Sequence, residues 1–196
     1  MSTGEIETMT VDNSESVIED QARDVAALVS SLAHHEDIDE DRIALFGASE
    51  GGWVAPLAAS MKNEVSALVV ANGGASPVGV SDYYQFLIET EGLSVKEATA
   101  ELSGYDGDYG YDPLPVLTSL VIPTLWLYGA EDRENPALAD VAVIQRTADE
   151  AEDGDFTIHL EPGAGHDLFS VADGQPDAAI VNEVTAWLAA ALGPGQ

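Results

Sequence analysis

Ile43-Ala44-Leu45-Phe46-Gly47-Ala48-Ser49-Glu50-Gly51-Gly52 joins a short apolar run to the helix-like stretch Trp53 to Met61. Residues 47–51 form the pattern G-x-S-x-G, here in the strand-then-helix setting that gives the pattern a physical meaning. A serine at the apex of so sharp a turn takes a strained backbone conformation, and only flanking glycines let strand and helix approach closely enough to hold it there. Its hydroxyl then stands exposed at the end of a strand. A Gly/Ser-rich turn matches five residues by chance often enough that the surroundings must decide.

Working outward, a second buried-strand candidate, Thr124-Leu125-Trp126-Leu127-Tyr128, runs into Gly129-Ala130-Glu131-Asp132. The strand candidate Phe156 to Leu160 leads into Glu161-Pro162-Gly163-Ala164-Gly165-His166-Asp167. Each acidic or imidazole candidate thus lies just past the C-terminal end of a strand, the edge at which open parallel sheets place their sites. Ser, then Asp, then His is the chain order of the α/β-hydrolases.

The stretch from about Asp39 to Phe169 resembles an α/β-hydrolase of the dienelactone-hydrolase and prolyl-oligopeptidase-like group. Asp41-Arg42-Ile43-Ala44-Leu45-Phe46-Gly47, Tyr111-Asp112-Pro113-Leu114-Pro115-Val116-Leu117 with Val121-Ile122-Pro123-Thr124, Tyr128-Gly129-Ala130-Glu131-Asp132-Arg133 with Pro136, and Gly163-Ala164-Gly165-His166 carry the resemblance in one order. It implies Ser49 as nucleophile, His166 as general base and acid, Asp132 as the carboxylate that orients the imidazole, and the amide of Glu50 as an oxyanion-hole donor. The elbow of this family follows a longer N-terminal part that supplies the first strands and a second oxyanion donor. Only 46 residues precede Gly47, with no HGGG-like run, and Ser2-Thr3-Gly4 resembles the tail of a G-x-G-x-S-x-G segment. The expected fold is therefore the C-terminal portion of an α/β-hydrolase: about four parallel strands with flanking helices in a single domain, residues 1–196, and a short cap insertion at 72–120. The strand before Ser49 would then be a sheet edge, open to self-association or to a complementing N-terminal chain.

With 36 Asp+Glu against 6 Lys+Arg, the formal net charge is −30. Such a charge makes the compact state repel itself in dilute salt, and screening to about 3 Å at 1 M relieves most of that. The composition resembles that of proteins from salt-accumulating haloarchaea. The acids are interleaved with periodic apolar residues, and 45% of the chain is hydrophobic, so a packed core is expected instead of a disordered acidic tail. No basic patch suits nucleic acid or an anionic membrane. There is no cysteine, and no export signal or spanning segment is evident, so the expected location is the cytoplasm. Neither a cofactor nor a metal is expected.

Strands are expected at Ile43 to Phe46, Val65 to Ala71, Thr124 to Tyr128 and Phe156 to Leu160. Ile18, Ala22, Val25, Val29 and Leu32 fall on one face of a helix ending near His34. Asn135 as N-cap and Pro136 at the first helical position start a helix through about Glu150, with Leu138, Val141, Ile144 and Ala148 inward. The last helix opens near Pro176 and carries Ile180, Val184, Trp187, Leu188 and Ala191. The segment Asn72 to Leu120 holds Tyr83, Tyr84, Phe86, Tyr105, Tyr109 and Tyr111, with one helical stretch from Ser94 to about Leu102; its aromatics either line an acyl pocket or pack the cap onto the domain. Asp132 has rivals in Glu131, Glu134 and Asp140. His34 and His35 suit a helix C-terminus, His159 a strand interior, and Asp167 either tunes His166 or is surface acid. The expected activity is a serine hydrolase acting by acyl transfer on a small-molecule ester or related acyl substrate. The alternative is a non-catalytic relic or half-enzyme that acts as a binding domain.

Overall fold

The computed structural model describes residues 8–151, 154–168 and 177–193. Ser2-Thr3-Gly4, Phe169 and Pro176, named above, lie outside the described residues.

Four strands form one parallel sheet in chain order: β1 (Ile43–Ala48), β2 (Val65–Ala71), β3 (Thr124–Gly129) and β4 (Phe156–Glu161). Parallel neighbours need crossovers, and helices supply them. In chain order the helices are α1 (Ser14–Ala33), α2 (Gly51–Ser60), α3 (Val78–Glu89), α4 (Val95–Glu101), α5 (Leu114–Leu117), α6 (Ala137–Glu150) and α7 (Ala178–Ala191). Residues pair in regular register, Phe46 opposite Val69, Val70 opposite Trp126, and Trp126 opposite Ile158. This is a partial α/β-hydrolase fold.

Because helices cover both faces, the central strands are apolar at nearly every position. On one face Leu68, Val70, Trp126 and Tyr128 pack with Val29 of α1, Ala55 and Ala59 of α2, and Ile144 of α6. On the other, Val69, Ala71, Leu125 and Leu127 pack beneath Ile180 of α7, with Leu168. Among the described residues β1 pairs with β2 alone and forms one edge, and Phe46 on its α7 side is 54% exposed.

Local expectations are met with shifts of a residue or two. All four strands begin where periodicity places them, and β1, β3 and β4 run one or two residues further. α1 buries Val17, Ile18, Ala22, Ala26 and Val29, whereas Leu32, expected inward, is exposed. α4 starts at the Ser94 capping box, in which Ser94 and Glu97 satisfy each other's orphan backbone groups. α6 buries Ala137, Asp140, Ile144 and Thr147; of the expected face Ile144 is fully buried and Leu138, Val141 and Ala148 are partly buried, so its inward face is shifted by about one residue. Asn135 is not its N-cap: Pro136 holds that position, because the Asn135 side chain is drawn toward the strand ends instead. The helix α3 has no counterpart in the sequence reading. Val78, Ser81, Tyr84 and Ile88 are its buried stripe, and the serine and tyrosine within it blur the apolar period.

Candidate active site

β1 ends at Ala48 and α2 begins at Gly51, so two residues make the whole turn. Ser49 absorbs it with φ 53, in the left-handed region that residues with a Cβ rarely enter. Such a conformation costs on the order of 1–3 kcal/mol and persists only where neighbours fix it. Here the Ser49 N–H donates to Ala71 O at 3.0 Å, and Ser49 O accepts from Gly52 N–H at 2.8 Å. At Gly47 a Cβ would lie 2.1 Å from Gly51 O, so the strand can approach the helix only as glycine. Behind the turn, a Cβ at Gly73 would lie 2.4 Å from Ser49 O. The segment following β2 is therefore packed backbone to backbone against the serine.

Asp132 follows β3 and is fully buried. Its Oδ1 accepts from the N–H groups of Glu134 (2.8 Å) and Asn135 (3.0 Å), and its Oδ2 accepts from His166 Nδ1 at 2.9 Å. Three donors satisfy a charge that burial alone would make costly. The buried Tyr84 hydroxyl of α3 donates to Asp132 O at 2.7 Å, tying α3 to this loop.

His166 follows β4, and its side chain is 18% exposed. The hydrogen bond to Asp132 raises its pKa above the ordinary value; burial opposes this, and the charges of Asp132, Glu134 and Asp167 reinforce it. Its Nε2 lies 3.6 Å from Glu134 Oε2. Ser49 and His166 line one cavity of about 200 Å³ together with Ala71, Asn72 and Leu168. A second cavity, about 170 Å³, also touches Ser49 and is lined by Glu50, Trp53, Asp82, Gln85 and Glu134 among others. No hydrogen bond joins Ser49 to His166 among the described residues; such bonds commonly tighten only with substrate in place. Glu50 precedes the first turn of α2, where N–H groups have no partner within the helix.

The rivals of Asp132 have other surroundings. Glu131 is exposed, Glu134 reaches the Nε2 edge of His166, and Asp140 is buried against Ser76, whose hydroxyl donates to it at 2.5 Å. Burial pushes Asp140 up to about 7 against the pull of Ser76 and the neighbouring amides. His34 caps α1 with its Nδ1 2.6 Å from Ser30 O, and His35 lies 3.9 Å from Asp37. Most aromatics of the segment 72–120 pack on one another: Tyr83 and Tyr105 are 5.1 Å apart, Tyr105 and Tyr109 5.5 Å, and Tyr83 stacks on Phe86. Sequence reasoning missed Asn72 and the placement of Asn135. Asn-Gly-Gly after a strand was the available signal, since asparagine tolerates the left-handed region.

The model of the prolyl oligopeptidase family matches residues 14–195. The chain belongs to the prolyl oligopeptidase family. No curated protein matches this family member by sequence. Solved structures share its fold. DcsB in complex with its substrate analogue aligns at 17% identity and TM-score 0.62 over 90% of this chain and 73% of that one. Porphyromonas gingivalis dipeptidyl peptidase 4 aligns at 17% and 0.62 over 86% and 22%, and acetyl xylan esterase 1 from Thermoanaerobacterium sp. JW/SL YS485 at 16% and 0.59 over 98% and 62%. This prolyl oligopeptidase family chain thus spans about a fifth of the peptidase and under two thirds of the esterase. At these identities the likeness shows the α/β-hydrolase fold, and the family supports a hydrolase.

Proposed function

We propose that the chain is a serine hydrolase acting by acyl transfer on carboxylic ester or related acyl bonds. Ser49 is the nucleophile, His166 the general base and acid, Asp132 the orienting carboxylate, and the Glu50 N–H an oxyanion donor. The observation that carries this reading is the imidazole of His166, bonded through Nδ1 to a fully buried carboxylate while sharing a cavity with a serine in a left-handed turn. With Nδ1–H donated to Asp132, the Nε2 lone pair is free to take the Ser49 proton. The alkoxide adds to the acyl carbonyl, the leaving group departs with the proton from Nε2, and water activated by the same nitrogen releases the acid. Neutral imidazole is the working form, so the raised pKa of His166 sets the acid limb of activity above pH 6.5. The acidic composition supports work in concentrated salt.

A fluorophosphonate probe in multimolar KCl tests the reading without knowledge of the substrate. Labelling is expected in the native chain and is expected to vanish in both Ser49→Ala and His166→Ala. Persistent labelling of Ser49→Ala would place the reactive group elsewhere. One observation favours the second reading, an interaction domain: β1 is a sheet edge among the described residues. A folded native chain that resists the probe yet self-associates, or captures a complementing chain, would favour it.

A further inference from the structure

We infer that Asn72 is the positioning residue that fixes where His166 stands relative to Ser49; the inference rests on reading those two as base and nucleophile. Asn72 follows β2 directly, is 2% exposed, and has φ 49, the second left-handed residue other than glycine among those described. Every polar group it carries on the inner side of the site is engaged. Its N–H donates to Leu127 O at 2.9 Å. Its Oδ1 accepts from Gly129 N–H at 2.8 Å, at the end of β3. Its Nδ2 donates to His166 O at 2.6 Å and to Gly165 O at 3.3 Å. Its carbonyl accepts from Asn135 Nδ2 at 2.9 Å, and the Asn135 N–H is one of the donors to Asp132.

Asn72 therefore holds the loop of the base, the strand that leads to Asp132, and the residue that caps Asp132. Its chain neighbours hold the nucleophile: Ala71 O accepts the Ser49 N–H, and Gly73 leaves no room for a Cβ against Ser49 O. One three-residue segment thus touches Ser49 on one side and His166 on the other. Those two make no hydrogen bond to each other, so their spacing is inherited from this segment. A carboxamide is the group that fits. One side of it must accept an amide N–H and the other must donate to two carbonyls, and no other side chain of this length does both.

The test uses the full chain in multimolar KCl. Asn72→Asp keeps the size and the acceptor for Gly129 but faces the two carbonyls with an oxygen. Asn72→Gly keeps the left-handed backbone and removes the clamp without adding charge. Both are expected to lower the first-order rate of fluorophosphonate labelling about 10²-fold, the scale of a roughly 1 Å misplacement of a catalytic group. The inhibitor concentration for half-maximal rate is expected to change little. The low-field Nδ1 proton of His166, observed by NMR, is expected to shift or broaden in both. Wild-type rate and wild-type His166 signal in either folded variant would overturn the proposal, as would a rate loss equal to the fraction unfolded. If the native chain itself is not labelled, the nucleophile reading fails, and Asn72 stands or falls on the His166 signal alone. The native chain supplies a check without substitution: the Asn72 carboxamide protons should exchange slowly, and fast exchange would overturn the clamp.

Discussion

Two histidines, each between two carboxylates, occupy opposite kinds of place in this molecule. His159 lies within β4 and bridges Glu161 and Glu183, both at 2.9 Å, with all three side chains partly exposed. His166 lies past the end of β4, with Nδ1 on an Asp132 that no solvent reaches and Nε2 3.6 Å from the exposed Glu134. The first is a symmetric cross-link between strand and helix that occupies both nitrogens. The second is asymmetric: one nitrogen is fixed in tautomer and direction, while the other borders the cavity of Ser49. Contact with carboxylates therefore does not distinguish the two imidazoles; the difference in burial between their partners does.

The sharpest way to break this comparison is Asp132→Asn. Loss of the orienting carboxylate with shape retained is expected to slow acylation of Ser49 about 10⁴-fold, as tautomer loss does in serine hydrolases. Retention of the rate, with loss instead in a Glu134 variant, would exchange the roles of the two acids. Glu134→Gln should do something smaller and different. It removes one of the charges that raise the His166 pKa, so the acid limb of the labelling profile should move to lower pH while the plateau stays. An unmoved limb would mean that Glu134 is screened away. The sign for stability is opposite to that for activity. A histidine whose folded pKa is raised contributes stability below its unfolded value, near 6.5, and loses it as pH rises through the folded one. In the proposed mechanism, the form that works is thus the form that stabilises less. The smallest effect belongs to His159→Gln. Partly exposed pairs contribute about 0.2–1 kcal/mol each, so a drop of a few degrees in Tm with an unchanged labelling rate is expected. A tenfold fall in labelling would erase the distinction between the two histidines.

The sequence carried the sheet because its central strands, β2 and β3, are buried on both faces and hence apolar at nearly every position, a signal that survives without neighbours. Val65 to Ala71 shows this best, since its bounds match. The three residues whose spacing suggested chemistry, Ser49, Asp132 and His166, lie at one edge of that sheet, the last two in contact. What stayed hidden was relational. Asn135 followed by Pro136 looks like a helix start, and only the presence of Asn72 O within reach explains why its side chain turns away. Asn72 itself has no periodicity to betray it; its meaning lies in carbonyls 93 and 94 residues further along the chain. Tyr84 likewise looks like a cap aromatic until its hydroxyl is seen to reach Asp132 O.

The clamp around Asn72 joins residues near positions 49, 72, 129, 135 and 166, and every one of those links closes a long loop. Contacts so far apart in the chain form late, because the entropy of loop closure is lost before any of them stabilises the fold. α1 and the hydrogen bonds of α6 can form from local sequence alone, but the pocket cannot. During synthesis or refolding this protein would acquire most of its helix well before it acquired the pocket around Ser49, and an unfinished chain would carry the motif without its surroundings.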